Sequence, residues 1–150
     1  MVDSRDKGAR AESVIRDVLR KATGLNWERT PGSGALNEKH GLKGDLYVPN
    51  EKNLYCVEVK HYKDDHINSG LLTNKNPQLI EWWKQAIRQG IQVNKAPILI
   101  FKHDRSKVFV AFTEIPSADY RHMLIHIDEH EFFISLLEDY LVNEKPKFIA

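Results

Sequence analysis

Apolar residues recur every three or four positions in three stretches of the chain, the spacing of an amphipathic helix. The first stretch, residues 7–22, is followed by Gly24, a residue type that commonly ends helices. The second, residues 78–89, lies between Pro77 and Gly90, and the third is residues 129–142. The apolar stripe of the third stretch consists of Phe132, Phe133, Leu136, Leu137 and Leu141. We therefore predict three helices.

Short apolar runs bounded by turn residues predict strands between these helices. The predicted strands are residues 25–30, 42–48, 54–60, 96–101, 107–112 and 121–127. The turn at residues 49–53 predicts an antiparallel hairpin between two of them, and residues 121–127 are expected at a sheet edge. Residues 61–76 have no clear period and are predicted to form a long loop. The element order indicates an α/β fold, in which a mixed five- to six-stranded sheet is flanked by helices.

Length and composition narrow the class of protein. The 150 residues fit one domain, 1–150, and no apolar run approaches the length that a membrane span needs. A lone cysteine, Cys56, predicts an intracellular, reducing compartment, which we take to be the cytoplasm. The net charge is only +1, but basic side chains predominate in residues 1–107 and acidic ones in residues 108–150. The first part of the chain could therefore meet a polyanion.

Two carboxylates and a lysine are placed by the predicted hairpin. Strand period 2 puts Glu58 and Lys60 on one face of their strand and Val57 and Val59 on the other. Burial of the valines against a helix is expected to leave the Glu58 and Lys60 face at an opening. The hairpin brings Asp45 opposite the Glu58 region. This oxygen-rich set suits Mg²⁺, and the lysine could position a water, so the sequence predicts metal-assisted hydrolysis of a phosphodiester.

A third carboxylate, Glu12, lies at the border of the apolar stripe of the first helix. It could simply form a surface pair with Arg16 one turn later, which contributes only tenths of a kcal/mol. Together with Asp45, Glu58 and Lys60, it is better explained as a side chain directed at the same opening.

These residues resemble a known family, the archaeal-type Holliday junction resolvases of the PD-(D/E)XK nuclease superfamily. The resemblance lies in residues 7–12 (KGARAE), residues 29–34 (RTPGSG), Gly44-Asp45 and residues 57–60 (VEVK). It implies a restriction-endonuclease-like nuclease fold and a Mg²⁺-dependent active site, although Mn²⁺ fits the same oxygen ligands. It also implies a homodimer that cuts opposed strands of a four-way DNA junction, with no membrane partner.

The resemblance assigns roles to individual residues of this sequence. Glu12, Asp45 and Glu58 match the metal-binding carboxylates, and Lys60 matches the catalytic lysine. Ser33 matches a catalytic serine near the scissile phosphate. The expected DNA contacts are Arg10, Arg29, Gly32, Ser33 and Lys63.

Some features depart from the family pattern and leave alternatives open. Gly44 stands where the superfamily name has proline, and residues 35–43 and 61–76 are long. The protein could therefore be another superfamily nuclease, of restriction-like, repair or exonuclease type. It could also be a non-catalytic DNA-binding module of recombination, although the complete four-residue set argues against that.

Two further residue groups are considered for chemistry. Trp82 and Trp83, with nearby basic residues, could contact DNA from the second helix, but a structural role is favoured because adjacent tryptophans face different directions. His122, His126 and His130 are spaced by four, yet the alternation around them favours a strand over a helical metal site.

Overall fold

A seven-stranded mixed sheet forms the centre of the computed structural model, which describes residues 4–31 and 43–150. The strand order is β1-β2-β3-β4-β5-β7-β6. The helices are α1 (Ser4–Thr23), α2 (Gly70–Thr73), α3 (Gln78–Val93) and α4 (Leu137–Glu144). The strands are β1 (Glu28–Arg29), β2 (Leu46–Tyr47), β3 (Tyr55–Tyr62), β4 (Ala96–His103), β5 (Phe109–Phe112), β6 (Met123–Ile127) and β7 (His130–Leu136). The predicted fold class is thus confirmed, with more strands than expected.

Helices cover both faces of the sheet. On one face, the apolar stripe of α1 packs on β3 and β4, and α4 packs beside it. On the other face, α3 packs on β4, and Trp83 stacks on Phe132 of β7 with ring centroids 4.4 Å apart. Leu19, Leu79 and Leu99 have no exposed surface. Each such side chain contributes about 1.5–3 kcal/mol by its burial, so these contacts hold the sheet between its helices.

The centre of the sheet is a parallel pair, β3 and β4, in which Glu58 lies beside Leu99 and Lys60 beside Phe101. The predicted antiparallel hairpin is confirmed, since Leu46 of β2 pairs with Val57 of β3. Strands with helices on both faces read as continuous apolar runs, as β4 does. β3 departs from that rule because Glu58, a buried residue, interrupts its apolar pattern.

The prediction of one helix over residues 129–142 is wrong. This segment forms strand β7, and only its end, from Leu137, is helical. Phe132 packs on the α3 face, whereas Phe133 packs on the α1 face. A strand that is buried on both faces has apolar residues at adjacent positions, and in the sequence this pattern resembles the apolar stripe of a helix.

Smaller differences concern the ends of elements. Gly24 does follow α1, with φ +74°. Gly90 does not end α3, which continues to Val93 and stops at Asn94 in the left-handed region, φ 54°. The predicted loop 61–76 contains the last two residues of β3 and the short helix α2. Within the described residues, no helix has both the length and the apolar character to cross a membrane.

Candidate active site

Asp45 is fixed by the backbone of β3. It lies directly before β2, and its own N–H donates to the Val57 carbonyl over 2.7 Å. Its Oδ2 accepts a hydrogen bond from the Val59 N–H, also at 2.7 Å. These two bonds place the carboxylate beside β3, as the predicted hairpin requires.

Gly44, the residue before Asp45, adopts a backbone conformation that proline cannot reach. Its φ is +85°, whereas the proline ring fixes φ near −65°. A Cβ at this position would lie 2.6 Å from the Val57 carbonyl oxygen. The Gly44 N–H donates to Oε1 of Gln89 on α3, at 3.1 Å. Glycine thus replaces the proline of the superfamily name because the chain passes too close to β3 for any side chain.

Glu58 lies on the α3 face of β3 and is only 3% exposed. The expectation that this face lies at an opening is therefore wrong for Glu58, since α3 covers the sheet there. Glu58 and Asp45 share a side-chain hydrogen bond. Burial, followed by the neighbouring Asp45 charge, raises the pKa of Glu58 to about 8. Burial is also the main cause that raises the pKa of Asp45, to about 6, against the opposing bond from Val59.

Both pKa values are raised chiefly because burial penalises the ionised form, so the pair resists carrying two negative charges near neutral pH. A divalent cation would relieve the same desolvation and repulsion, and one or two carboxylates with several waters are the usual protein ligands of Mg²⁺. Among the residues that the structure describes, no group of three or more His, Cys, Asp or Glu side chains is arranged to hold a metal. Asp45 and Glu58 fit a cation as a two-carboxylate set.

Lys60 lies on the same face as Glu58, as the strand period predicted, and is partly exposed. Its positive charge lowers the pKa of both Asp45 and Glu58, in each case as a smaller effect than burial. The structure thus brings three of the predicted residues together: two shielded carboxyl groups and a cation at their solvent side.

Glu12 reaches this site from α1. Its negative charge contributes to the raised pKa of Asp45 and, more weakly, of Glu58. Its Oε1 accepts a hydrogen bond from Nε of Arg29 at 3.1 Å. The alternative partner, Arg16, instead pairs with Asp17 at 3.2 Å. Glu12 therefore faces the site with Arg29 beside it.

Two of the expected DNA contacts, Arg10 and Lys63, are exposed. Arg10 lines a cavity of about 370 Å³ whose wall also includes Lys60 and Lys102. Its floor consists of apolar side chains from α1, β3 and β4. The cavity therefore opens on the α1 face of the sheet, whereas Glu58 lies on the α3 face. Gly32 and Ser33, the remaining predicted contacts, lie outside the described residues, as do residues 35–42 of the long segment.

The other candidate residues have structural surroundings. Trp82 and Trp83 are both buried, which confirms the structural interpretation. His126 lies on β6, as the strand alternation favoured, whereas His130 lies on β7 and not on the helix predicted for residues 129–142. Burial also raises the pKa of the Cys56 thiol to about 12, which makes it a poor nucleophile.

Sequence reasoning missed Gln89 at this site and Lys102 in the cavity on the α1 face. Gln89 on α3 accepts a hydrogen bond from the Gly44 N–H, and a contact between residues 45 positions apart cannot be predicted from a local pattern. Lys102 enters the cavity because β4 runs parallel to β3 and places it beside His61. A basic residue directly after a buried apolar run was the available signal for Lys102.

Comparisons with known proteins identify the family of this chain. The family described as "Phage putative PDDEXK endonuclease" matches residues 3–141. "Protein D14" of Escherichia phage T5 is 46% identical over 148 residues, which cover 93% of this chain and 92% of that protein. The solved structure of Archaeoglobus fulgidus Hjc, a Holliday junction resolvase, covers 91% of this chain and 88% of its own, with 16% identity and a TM-score of 0.43. That last likeness is too low to decide a substrate. The chain belongs to the phage PDDEXK endonuclease family of the PD-(D/E)XK nuclease superfamily, and is a nuclease.

Proposed function

We propose that this nuclease is a Mg²⁺-dependent endonuclease that selects branched DNA and, as a homodimer, cuts four-way junctions. The observation that carries the metal dependence is the buried Asp45–Glu58 pair, whose pKa values are both raised. A divalent cation would stabilise the ionised form of two adjacent buried carboxyl groups, which burial and their mutual repulsion otherwise disfavour.

Each residue of the site has a proposed task. Asp45 and Glu58 bind the cation, and Glu12 assists directly or through water. When bound, the cation lowers the pKa of a water molecule and stabilises negative charge on the phosphoryl oxygens. Lys60, at the solvent side of the pair, orients the attacking water or neutralises a phosphate oxygen. Arg29 keeps Glu12 in place, and Ser33 contacts the phosphate region.

The junction preference is supported by the sequence resemblance in residues 7–12, 29–34, 44–45 and 57–60. Arg10, Lys60 and Lys102 line one cavity on the α1 face and would provide phosphate contacts there, and Lys60 also lies beside the carboxyl pair. A two-fold dimer suits a junction because it places two active sites on equivalent strands.

Cleavage of an end-labelled four-way junction tests this proposal. Linear duplex and single strand of the same sequence are run beside it, each with Mg²⁺, with Mn²⁺ and with EDTA. We expect paired, symmetric nicks in the junction only, and none in EDTA. Cutting of all three substrates would move the protein to another nuclease branch, and degradation from the ends would indicate an exonuclease.

Two matched pairs of variants link the cleavage to this site. Glu58→Gln and Lys60→Gln should lose cleavage while they still bind the junction in a gel-shift assay. Their controls are Glu81→Gln on the exposed side of α3 and Lys107→Gln, which pairs with Glu138. Both controls should cut at the normal rate. Junction cutting that survives Glu58→Gln would contradict the assignment of the metal site.

A further inference from the structure

Strand β6 (Met123–Ile127) forms one edge of the sheet, and among the described residues no strand pairs with its outer side. Met123 is 41% exposed and Leu124 54% exposed, on opposite faces of this edge. An uncovered edge strand with apolar side chains is a template for another strand, and proteins usually protect such edges with charge, proline or a partner. The β6 edge is therefore a candidate interaction surface.

The direction of the free backbone groups follows from the hairpin. β6 and β7 are joined by a two-residue turn, Asp128 and Glu129, and Ile127 pairs with His130 at its base. The two residues that close such a turn form two backbone hydrogen bonds with each other, and so does every second pair along the two strands. The N–H and C=O groups of Leu124 and His126 therefore point away from β7, toward any added strand.

The sequence of this edge is self-complementary about Ile125. In an antiparallel pair of two copies centred on Ile125, Leu124 lies opposite the partner's His126, so that the outward backbone groups meet. In the same register, Arg121 and His122, which precede the strand, come near Asp128 and Glu129, the two turn residues of the second copy. The cation Arg121 precedes the strand and the acidic residues Asp128 and Glu129 follow it, so each end of one copy meets its opposite charge. A register shifted by one residue would no longer bring the outward backbone groups of the two copies together.

We propose that a second copy of this chain pairs with β6 in antiparallel orientation about Ile125, and so joins two sheets into one. The proposal assigns a surface to the homodimer of the proposed function, but it depends on backbone register and charge, not on nuclease chemistry. Four charged or ionisable residues at the ends of the strand are exposed: Arg121, His122, Asp128 and Glu129. Within one copy, His122 contacts the Tyr120 carbonyl and Glu129 lies 3.3 Å from His130. On the α3 face, Met123 meets the partner's Ile127, which covers apolar surface that is open in one copy.

Charge reversal with rescue tests the register. Arg121→Glu and Glu129→Arg each place like charges opposite one another at both ends of the two-fold pair, whereas the double variant restores opposite charges. Within one chain these residues lie at opposite ends of β6, so rescue by the double variant reports contact between copies. Leu124→Lys is a second kind of disruption, which places a charge at an exposed position of the edge.

The readout is sedimentation equilibrium in EDTA without DNA, which is independent of cleavage. We expect a dimer for the natural chain, a dissociation constant raised about tenfold or more in each single reversal, and recovery in the double variant. Lys107→Glu, remote from β6, should leave the dimer unchanged, and circular dichroism checks that each variant is folded. A monomeric natural chain, or single reversals without effect, overturns the proposal. Weakening in both single variants without recovery in the double variant overturns the register.

Discussion

Replacement of Glu58 by glutamine should stabilise the metal-free protein at alkaline pH while it abolishes cleavage. Glu58 is 3% exposed and keeps its proton in the folded state up to a pKa of about 8, whereas the usual value for a glutamate is 4.5. Between these pH values the unfolded chain ionises Glu58 and the folded chain does not. The stability that is present below pH 4.5 is therefore lost as the pH rises to 8, by about 1.4 kcal/mol for each pH unit.

The glutamine variant escapes this loss because it has no proton to release. Its side-chain amide can donate to Asp45 in the way that protonated Glu58 does. The pKa difference of Glu58 between the folded and unfolded chain would correspond to several kcal/mol of lost stability at pH 8. Because water reaches the half-buried Asp45, the loss is smaller, and we expect the variant to gain about 2 kcal/mol in its free energy of unfolding at pH 8. For a chain of this size, that gain raises the melting temperature by about 4–8 °C. At pH 5 the two proteins should be nearly equal.

Thermal and urea denaturation followed by circular dichroism between pH 5 and 8, in EDTA, measures this difference. Glu81→Gln, an exposed glutamate on α3, is the control and should follow the natural chain at every pH. With Mg²⁺ added, the natural chain should recover stability and the Glu58→Gln variant should gain less, because ligand binding stabilises the folded state. A variant that is no more stable than the natural chain at pH 8 would refute the argument that burial beside Asp45 penalises the ionised form of Glu58.

Three further substitutions probe the residues that support the site. Gly44→Ala should destabilise the protein by about 2–3 kcal/mol and reduce cleavage, because the added Cβ would lie 2.6 Å from the Val57 carbonyl oxygen. Urea denaturation measures the loss of stability, and the control is Gly8→Ala, whose added Cβ meets nothing within 4 Å. Lys60→Gln should lower the cleavage rate by at least about a hundredfold with junction affinity nearly unchanged, so an equal loss of affinity in a gel-shift titration would assign Lys60 to binding instead. Gln89→Leu removes the bond to Gly44 and should cost about 1 kcal/mol, with a cleavage rate reduced several-fold in single-turnover kinetics; an unchanged rate would show that Gln89 does not position Asp45.

The sequence predicted those parts of the fold in which the pattern of apolar residues fits only a helix or only a strand. Helix α1 has a single apolar stripe and a glycine after it, and the hairpin that carries Asp45 has alternating strands around a polar turn. The prediction of a helix over residues 129–142 was wrong because a strand that is buried on both faces has adjacent apolar residues, as the apolar stripe of a helix does. Tertiary pairing with β5 and β6 decides the matter there, and a local pattern does not contain it.

The site could be predicted to the extent that it is local. Glu58 and Lys60 follow from strand period, and Asp45 follows from the hairpin. The depth of Glu58 could not be foreseen, because it depends on α3, which packs on the sheet from a later part of the chain. Gln89 was missed for the same reason.

The two hydrogen bonds that position Gly44 and Asp45 join residues at very different separations along the chain, which affects the order in which they form during folding. The bond from Val59 to Asp45 closes a loop of only 14 positions, whereas the bond from Gly44 to Gln89 spans 45. Short-range contacts form faster because they close smaller loops. The hairpin can therefore bring Asp45 and Glu58 together early, and α3 then buries the pair. The carboxyl groups meet while water still surrounds them, and a divalent ion present in refolding buffer could bind before α3 docks and speed the final step.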